Sequence, residues 1–181
     1  MTDLPHIAGI LCANRQEQQD FFKMEKSCCS AQIKLDICAG DSRLIRLPSR
    51  SGRRGFQLHN TSDIKTSKIF VGFLPTNILP TSPDEKFDQF FYRLNGQIFH
   101  NWEKYLGAFS LAGPVLFTSD SDSGQVTVSS GTNFAKFNYS ANATLCPFIF
   151  YKDADVDISL ILNLSAANCD LLPTNYKGWK D

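Results

Sequence analysis

The sequence predicts an all-β fold: a single jelly-roll-like β-sandwich behind a short helical or extended N-terminal arm. At least seven short apolar or alternating segments, of strand length, are separated by clusters of Gly, Pro, Ser, Asn and Asp. The 181 residues are 43% hydrophobic and 20% charged, with 15 Phe, a globular composition of single-domain size. No internal repeat or linker divides them, so residues 1–30 are read as the arm and 31–181 as the β domain.

In chain order, residues 15–26 are polar and Gln/Glu-rich without Gly or Pro, which suits a short helix or an extended arm. Residues 31–37 alternate apolar and polar side chains, the mark of a half-buried strand. A short strand at 44–47 is followed by a Gly-, Pro- and Ser-rich stretch, 48–55, read as a mobile loop. Residues 68–74 form a continuous apolar run, as expected of a strand buried on both faces, and 75–83 a long loop.

The Asn95-Gly96 dipeptide between apolar runs predicts a hairpin with a type I′ turn. A brief helix is expected at 101–106 and a strand around 115–117. A Ser/Asp-rich turn at 118–124 then leads into a strand at 125–128. Strands are expected at 134–139, 146–151 and 156–164; in the last, Val156, Ile158, Leu160, Leu162 and Leu164 share the core face.

Lys plus Arg equals Asp plus Glu at 18 each, so no general attraction to phosphate backbones or anionic lipid is expected, and no specific nucleic-acid recognition. No apolar run approaches the ~20 residues that cross a bilayer. The first residues lack the basic start of a secretory signal, which points to an intracellular protein, although Asn60, Asn138, Asn142 and Asn163 lie in glycosylation sequons.

His6, His59 and His100 show neither a metal-ligand spacing nor a nucleophile partner, so neither a cofactor nor catalysis is expected. The six Cys lack C-x-x-C spacing and are read as mostly free, buried thiols. Asp120-Ser121-Asp122-Ser123-Gly124 has the look of a calcium loop, but its Gly is one place early and no closing Glu follows, so a hairpin turn is expected. The aromatic run of Phe87, Phe90, Phe91, Tyr92, Phe99, Trp102, Tyr105 and Phe109 is assigned mostly to the core.

Two features are candidates for an interface. Arg50, Arg53 and Arg54, with Arg43 and Arg46 nearby, form the one basic cluster and could clamp phosphate or a partner's acids. Ile161 is an apolar side chain on the polar face of its strand, where a neighbouring subunit would cover it.

Three segments taken in order carry a resemblance. They are Phe56-Gln57-Leu58 running to the apolar-Gly-apolar strand around Gly72; the aromatic 87–91 segment with the strand closing on Asn95-Gly96-Gln97; and 134–138, Leu145-Cys146 and 156–164. Together they resemble the C-terminal jelly roll of double-jelly-roll major capsid proteins of polinton-like and adomavirus-like DNA viruses, over about two thirds of the chain. The chain departs from that family in having room for one roll rather than two. The resemblance implies a non-enzymatic capsid subunit that assembles with itself or with other capsid proteins and resides in the virion. The alternative is a β-sandwich recognition module, lectin-like or C1q/TNF-like, that binds glycan or protein.

Overall fold

Two sheets, facing one another, account for the computed structural model, which describes residues 31–62, 64–75, 90–100, 103–106, 113–139, 144–169 and 172–181. The strands are β1 (Gln32–Ile37), β2 (Arg43–Arg46), β3 (Arg53–Asn60), β4 (Ile69–Pro75), β5 (Phe90–Arg93), β6 (Ile98–His100), β7 (Glu103–Leu106), β8 (Val115–Asp120), β9 (Gln125–Ser130), β10 (Asn133–Asn138), β11 (Leu145–Tyr151), β12 (Ile158–Asn163) and β13 (Lys177–Gly178). One turn of 3₁₀ helix, Ala166–Asn168, follows β12, and no α-helix occurs among the described residues. None of the described helices is long and apolar enough to cross a membrane.

The first sheet runs β1-β12-β3-β8-β9-β10, with β13 added to β3; the second runs β2-β11-β4-β5-β6-β7. All pairings are antiparallel except that of β13 with β3. The chain therefore forms the β-sandwich that alternation predicted. The arm assigned to residues 1–30 lies outside the described residues.

Strand alternation sets the interior. From the first sheet Leu35, Phe56, Leu58, Phe117, Val126, Ile158, Leu160 and Leu162 point inward, meeting Ile45, Ile69, Val71, Phe73, Phe90, Tyr92, Ile98 and Ile149 from the second. Leu160 and Leu162 are buried while Ser159, Ile161 and Asn163 between them are half-buried, so the register of β12 follows its sequence pattern.

The second sheet is apolar on its outer face as well. Leu44, Phe70, Leu74, Phe91, Phe99, Cys146, Phe148 and Phe150 form a separate buried cluster there. Every residue of β4 and of β11 is buried, which is why both read as unbroken apolar runs. Within β4, Gly72 is obligatory: a Cβ there would lie 1.9 Å from the Phe90 carbonyl oxygen and 2.6 Å from the Phe91 Cα. Its absence lets β5 pair with β4 while Phe70 and Phe91 meet edge to face at 5.3 Å.

Four expectations are corrected. Residues 103–106 form strand β7 rather than a helix, because pairing with β6 across a register shift supplies the backbone hydrogen bonds. Arg53 and Arg54 open β3 instead of sitting in a mobile loop; they pair with Asp120 and Ser119 of β8. The hairpin at Asn95-Gly96 is not type I′, which needs positive φ at both central residues. Gly96 alone has it (φ 98°), with Gly96 N–H bonded to the Arg93 carbonyl and Arg93 N–H to the Gln97 carbonyl, both at 2.9 Å. This is a type I turn closed by a glycine bulge. Finally, Cys38 is exposed, whereas Cys146 and Cys169 are buried as expected.

Leu160→Ala is expected to cost about 2–5 kcal/mol in urea unfolding, from lost burial and a residual cavity. Ser159→Ala, on the outer face, is expected to stay within about 1 kcal/mol.

Candidate interaction surfaces

The sandwich has two ends of different character. One gathers residues 48–52, the 121–124 turn, 165–169 and 172–181; the other gathers 38–42, 61–62, 64–68, the 94–97 turn, 113–114, 131–132 and 152–157.

At the first end the arginines divide. Arg50 is exposed, Arg53 Nε donates to Asp120 Oδ2 at 3.2 Å, and Arg54 donates to the Gly178 carbonyl at 3.2 Å and to the Asp181 carbonyl. Arg54 therefore holds the last residues against β3 rather than offering its charge to a partner. Burial favours the neutral Asp120 carboxyl, but hydrogen bonds from Ser123, the Asp122 and Ser123 N–H groups and Arg53 outweigh it and hold the group below the usual aspartate range. The 120–124 segment thus spends its acid on its own hairpin, as the sequence predicted. Hydrogen bonds from the Ala166 and Gly178 N–H groups, with Arg54 nearby, likewise hold Asp181 low against the opposing effect of burial.

The tail also sends Trp179 into the core, where its Nε1–H donates to the Pro48 carbonyl at 2.8 Å. The end that carries the arginines is thus closed by the chain itself.

Ile161 lies on the outer face of the first sheet, half-buried, in register between Lys34 of β1 and His59 of β3. The structure places it on a face separate from the arginine end and does not bring the four predicted interface residues into one patch. On the same sheet, Phe134 of edge strand β10 is 58% exposed, a position that sequence reasoning passed over because the 134–139 alternation did not distinguish the faces.

At the second end the segments around 38–42, 64–68 and 152–157 are tied to one another. Gly40 N–H donates to the Ala154 carbonyl at 2.7 Å and Ala39 N–H to Asp157 Oδ1 at 2.8 Å. Asp153 N–H donates to Ser42 Oγ at 2.9 Å and Thr66 Oγ1–H to Asp155 Oδ1 at 2.7 Å. Ser159 N–H donates to Ser62 Oγ at 2.8 Å, joining the 61–68 loop to β12. These cross-ties fix the loops in relation to one another, and Asp153 holds a left-handed backbone (φ 48°) within them.

Between the sheets at this end opens a half-enclosed cleft of about 260 Å³, counting the space open to solvent, lined by Leu58, Asn60, Tyr92, Leu94, Gly113 and Val115. Asn60 Nδ2 donates to the Ile64 carbonyl at 2.8 Å, and its Oδ1 accepts from Ser62 N–H at 3.2 Å. The Tyr92 hydroxyl is buried without a hydrogen-bond partner among the described residues, and burial pushes its pKa far up, so it stays protonated. No group of His, Cys, Asp and Glu residues able to hold a metal ion occurs among the described residues.

No protein-family model matches the chain, and no curated protein sequence does. Solved structures do resemble it. The SPRY domain of human HERC1 is similar over 74% of this chain and 89% of that one, at 14% identity and a TM-score of 0.54. The stonustoxin structure is similar over 67% of this chain and 20% of its own, at 12% identity and a TM-score of 0.49. The TRIM65 PSpry domain is similar over 71% of this chain and 68% of its own, at 12% identity and a TM-score of 0.45. The first of these likenesses establishes the fold as a SPRY-like β-sandwich.

Arg54→Ala is expected to release residues 172–181, read as faster proteolysis there, while Arg50→Ala leaves the cleavage rate unchanged. The lowered carboxyls add a pH dependence: their contribution is complete above the ordinary aspartate value of 3.8 and is lost as pH falls through their lower folded values. Arg54→Ala should move acid release of the tail, followed by tryptophan fluorescence, to higher pH.

Proposed function

We propose that the chain is a β-sandwich recognition module that binds a polypeptide partner with its cross-tied loop end. The observation that carries the reading is the contrast between the two ends. One is filled by the chain's own Trp179 segment; the other presents fixed loops around a cleft. Loops fixed before binding lose little conformational freedom when a partner docks, which favours affinity. The likeness to a SPRY domain supports a recognition role over the capsid role that the sequence raised. Within the recognition class, exposed Lys65, Lys68, Asp153, Asp155 and Asp157 offer both charge signs to a peptide.

Selection from a displayed peptide library tests this. Enriched peptides should bind the protein one to one, and Lys65→Glu with Lys68→Glu should weaken them about tenfold or more, while Arg50→Ala and Phe134→Ser leave binding unchanged. Binding that maps to Arg50 or Phe134, or no enrichment, would count against the loop end.

Assembly as a capsid-like subunit is the second reading, favoured by the exposed Phe134 on an edge strand and the half-buried Ile161. Under it, Ile161→Asp leaves a folded protein, by circular dichroism, whose oligomers dissociate at lower dilution in sedimentation equilibrium. An unchanged association constant removes that face from any assembly.

A further inference from the structure

Strand β1 is an outer edge of the first sheet: β12 flanks it on one side, and no strand among the described residues flanks it on the other. The hydrogen bond from Leu164 N–H to the Ala31 carbonyl sets the phase of the ladder. Antiparallel residues turn their N–H and C=O groups alternately toward one neighbour and the other. Ile33, Leu35 and Ile37 therefore bond β12, while Lys34 and Asp36 direct theirs to the open side. The side chains of both are exposed. The ladder stops at Cys38, whose N–H donates to Asp41 Oδ2 at 2.9 Å and whose carbonyl accepts from Asp41 N–H at 3.0 Å.

Charges on an edge strand ordinarily discourage pairing. In β1 their spacing does the reverse for one kind of neighbour. Two copies that meet antiparallel about a twofold axis keep their outward faces together when the axis passes Lys34, Leu35 or Asp36. The first register sets lysine against lysine, and the third sets aspartate against aspartate. The register centred on Leu35 sets Lys34 of each copy opposite Asp36 of the other, the residues whose backbone groups are open. It also sets Leu35 against Leu35 and Ile33 against Ile37, so the buried apolar row of β1 continues across the join. Asp36 Oδ1 accepts from Ser159 Oγ–H at 2.8 Å, which leaves Oδ2 for the lysine. Edge strands β2 and β10 lack this property, since β2 carries only arginines as charges and β10 only Lys136.

We infer that β1 is a homodimerisation edge: a second copy of this chain pairs with it antiparallel through the backbone of Lys34 and Asp36, each lysine facing the other copy's aspartate, and the two first sheets become one. The dimer is independent of the loop-end reading and does not use Phe134, which lies on the opposite edge. Because β1 runs from the arginine end to the loop end, antiparallel pairing points the two clefts in opposite directions.

Exposed ion pairs contribute little each, so the full chain is measured by sedimentation equilibrium up to about 1 mM, in reducing buffer at about 50 mM salt. A monomer–dimer equilibrium is expected, weakening at least about fivefold when salt rises to about 0.5 M. Lys34→Asp and Asp36→Lys should each weaken it about tenfold or more, with circular dichroism unchanged, because like charges then face each other. Mixed in equal amounts, the two variants should form a heterodimer as tight as the parent dimer, since aspartates at both positions then face lysines. A change that merely loosened the strand would not be repaired by mixing. Phe134→Ser should leave the association constant unchanged. Should either charge variant lose its fold, the salt dependence of the parent protein decides. A protein monomeric throughout, a dimer indifferent to salt or to both single changes, a mixture that fails to associate, or dissociation by Phe134→Ser each overturn the assignment.

Discussion

The two sheets and the tail are joined at one aromatic contact, and most of the architecture depends on it. Phe56 of β3 stacks on Phe117 of β8 with centroids 4.8 Å apart, and Phe73 of the opposite sheet meets Phe56 edge-on at 5.6 Å. Trp179 completes the group, 5.6 Å from Phe73 and 6.3 Å from Phe56. The tail reaches this position along a path that two glycines keep clear. A Cβ on Gly55 would come within 2.6 Å of Leu172, and one on Gly178 within 2.5 Å of the Leu164 carbonyl oxygen. Trp179 thus fills the arginine end of the interior, while a cleft between the sheets opens at the opposite end.

Where a residue's neighbours in sequence decide its environment, the sequence was readable. The alternation of 31–37 and 158–163 produced the paired strands β1 and β12, and the unbroken apolar runs became β4 and β11, buried on both faces. Periodicity cannot tell the two faces of such a strand apart. Phe90 and Tyr92 face the interior while Phe91 and Phe99 join the outer cluster, a division fixed by the pairing of β5 with β4 and of β6 with β5.

The misreadings share a cause. Asn95-Gly96 named a hairpin correctly, but its type was set by the bonds from Arg93 N–H to the Gln97 carbonyl and from Gly96 N–H to the Arg93 carbonyl, which a dipeptide does not encode. The composition of 48–55 signalled a loop, yet β8 lay alongside Arg53 and Arg54 and drew both into a strand. The candidate site was the least legible part. Its residues come from positions 58, 60, 92, 94, 113 and 115, brought together by three strands in two sheets. What distinguishes Tyr92 from the other buried aromatics is an unmet hydrogen bond, and no spacing rule reports that.

The hydrogen bond from Leu164 N–H to the Ala31 carbonyl, at 2.7 Å, places the start of β1 beside the end of β12, at the arginine end and remote from the cleft. Asp181 is held at that same end by Arg54. A polypeptide fused after Asp181 would therefore leave the sandwich at the end opposite the cleft. Under the proposed function, copies fused in this way would all present the loop end away from the join. Weak individual grips would then add up to avidity, with the spacing set by the joining segment and the fold left untouched.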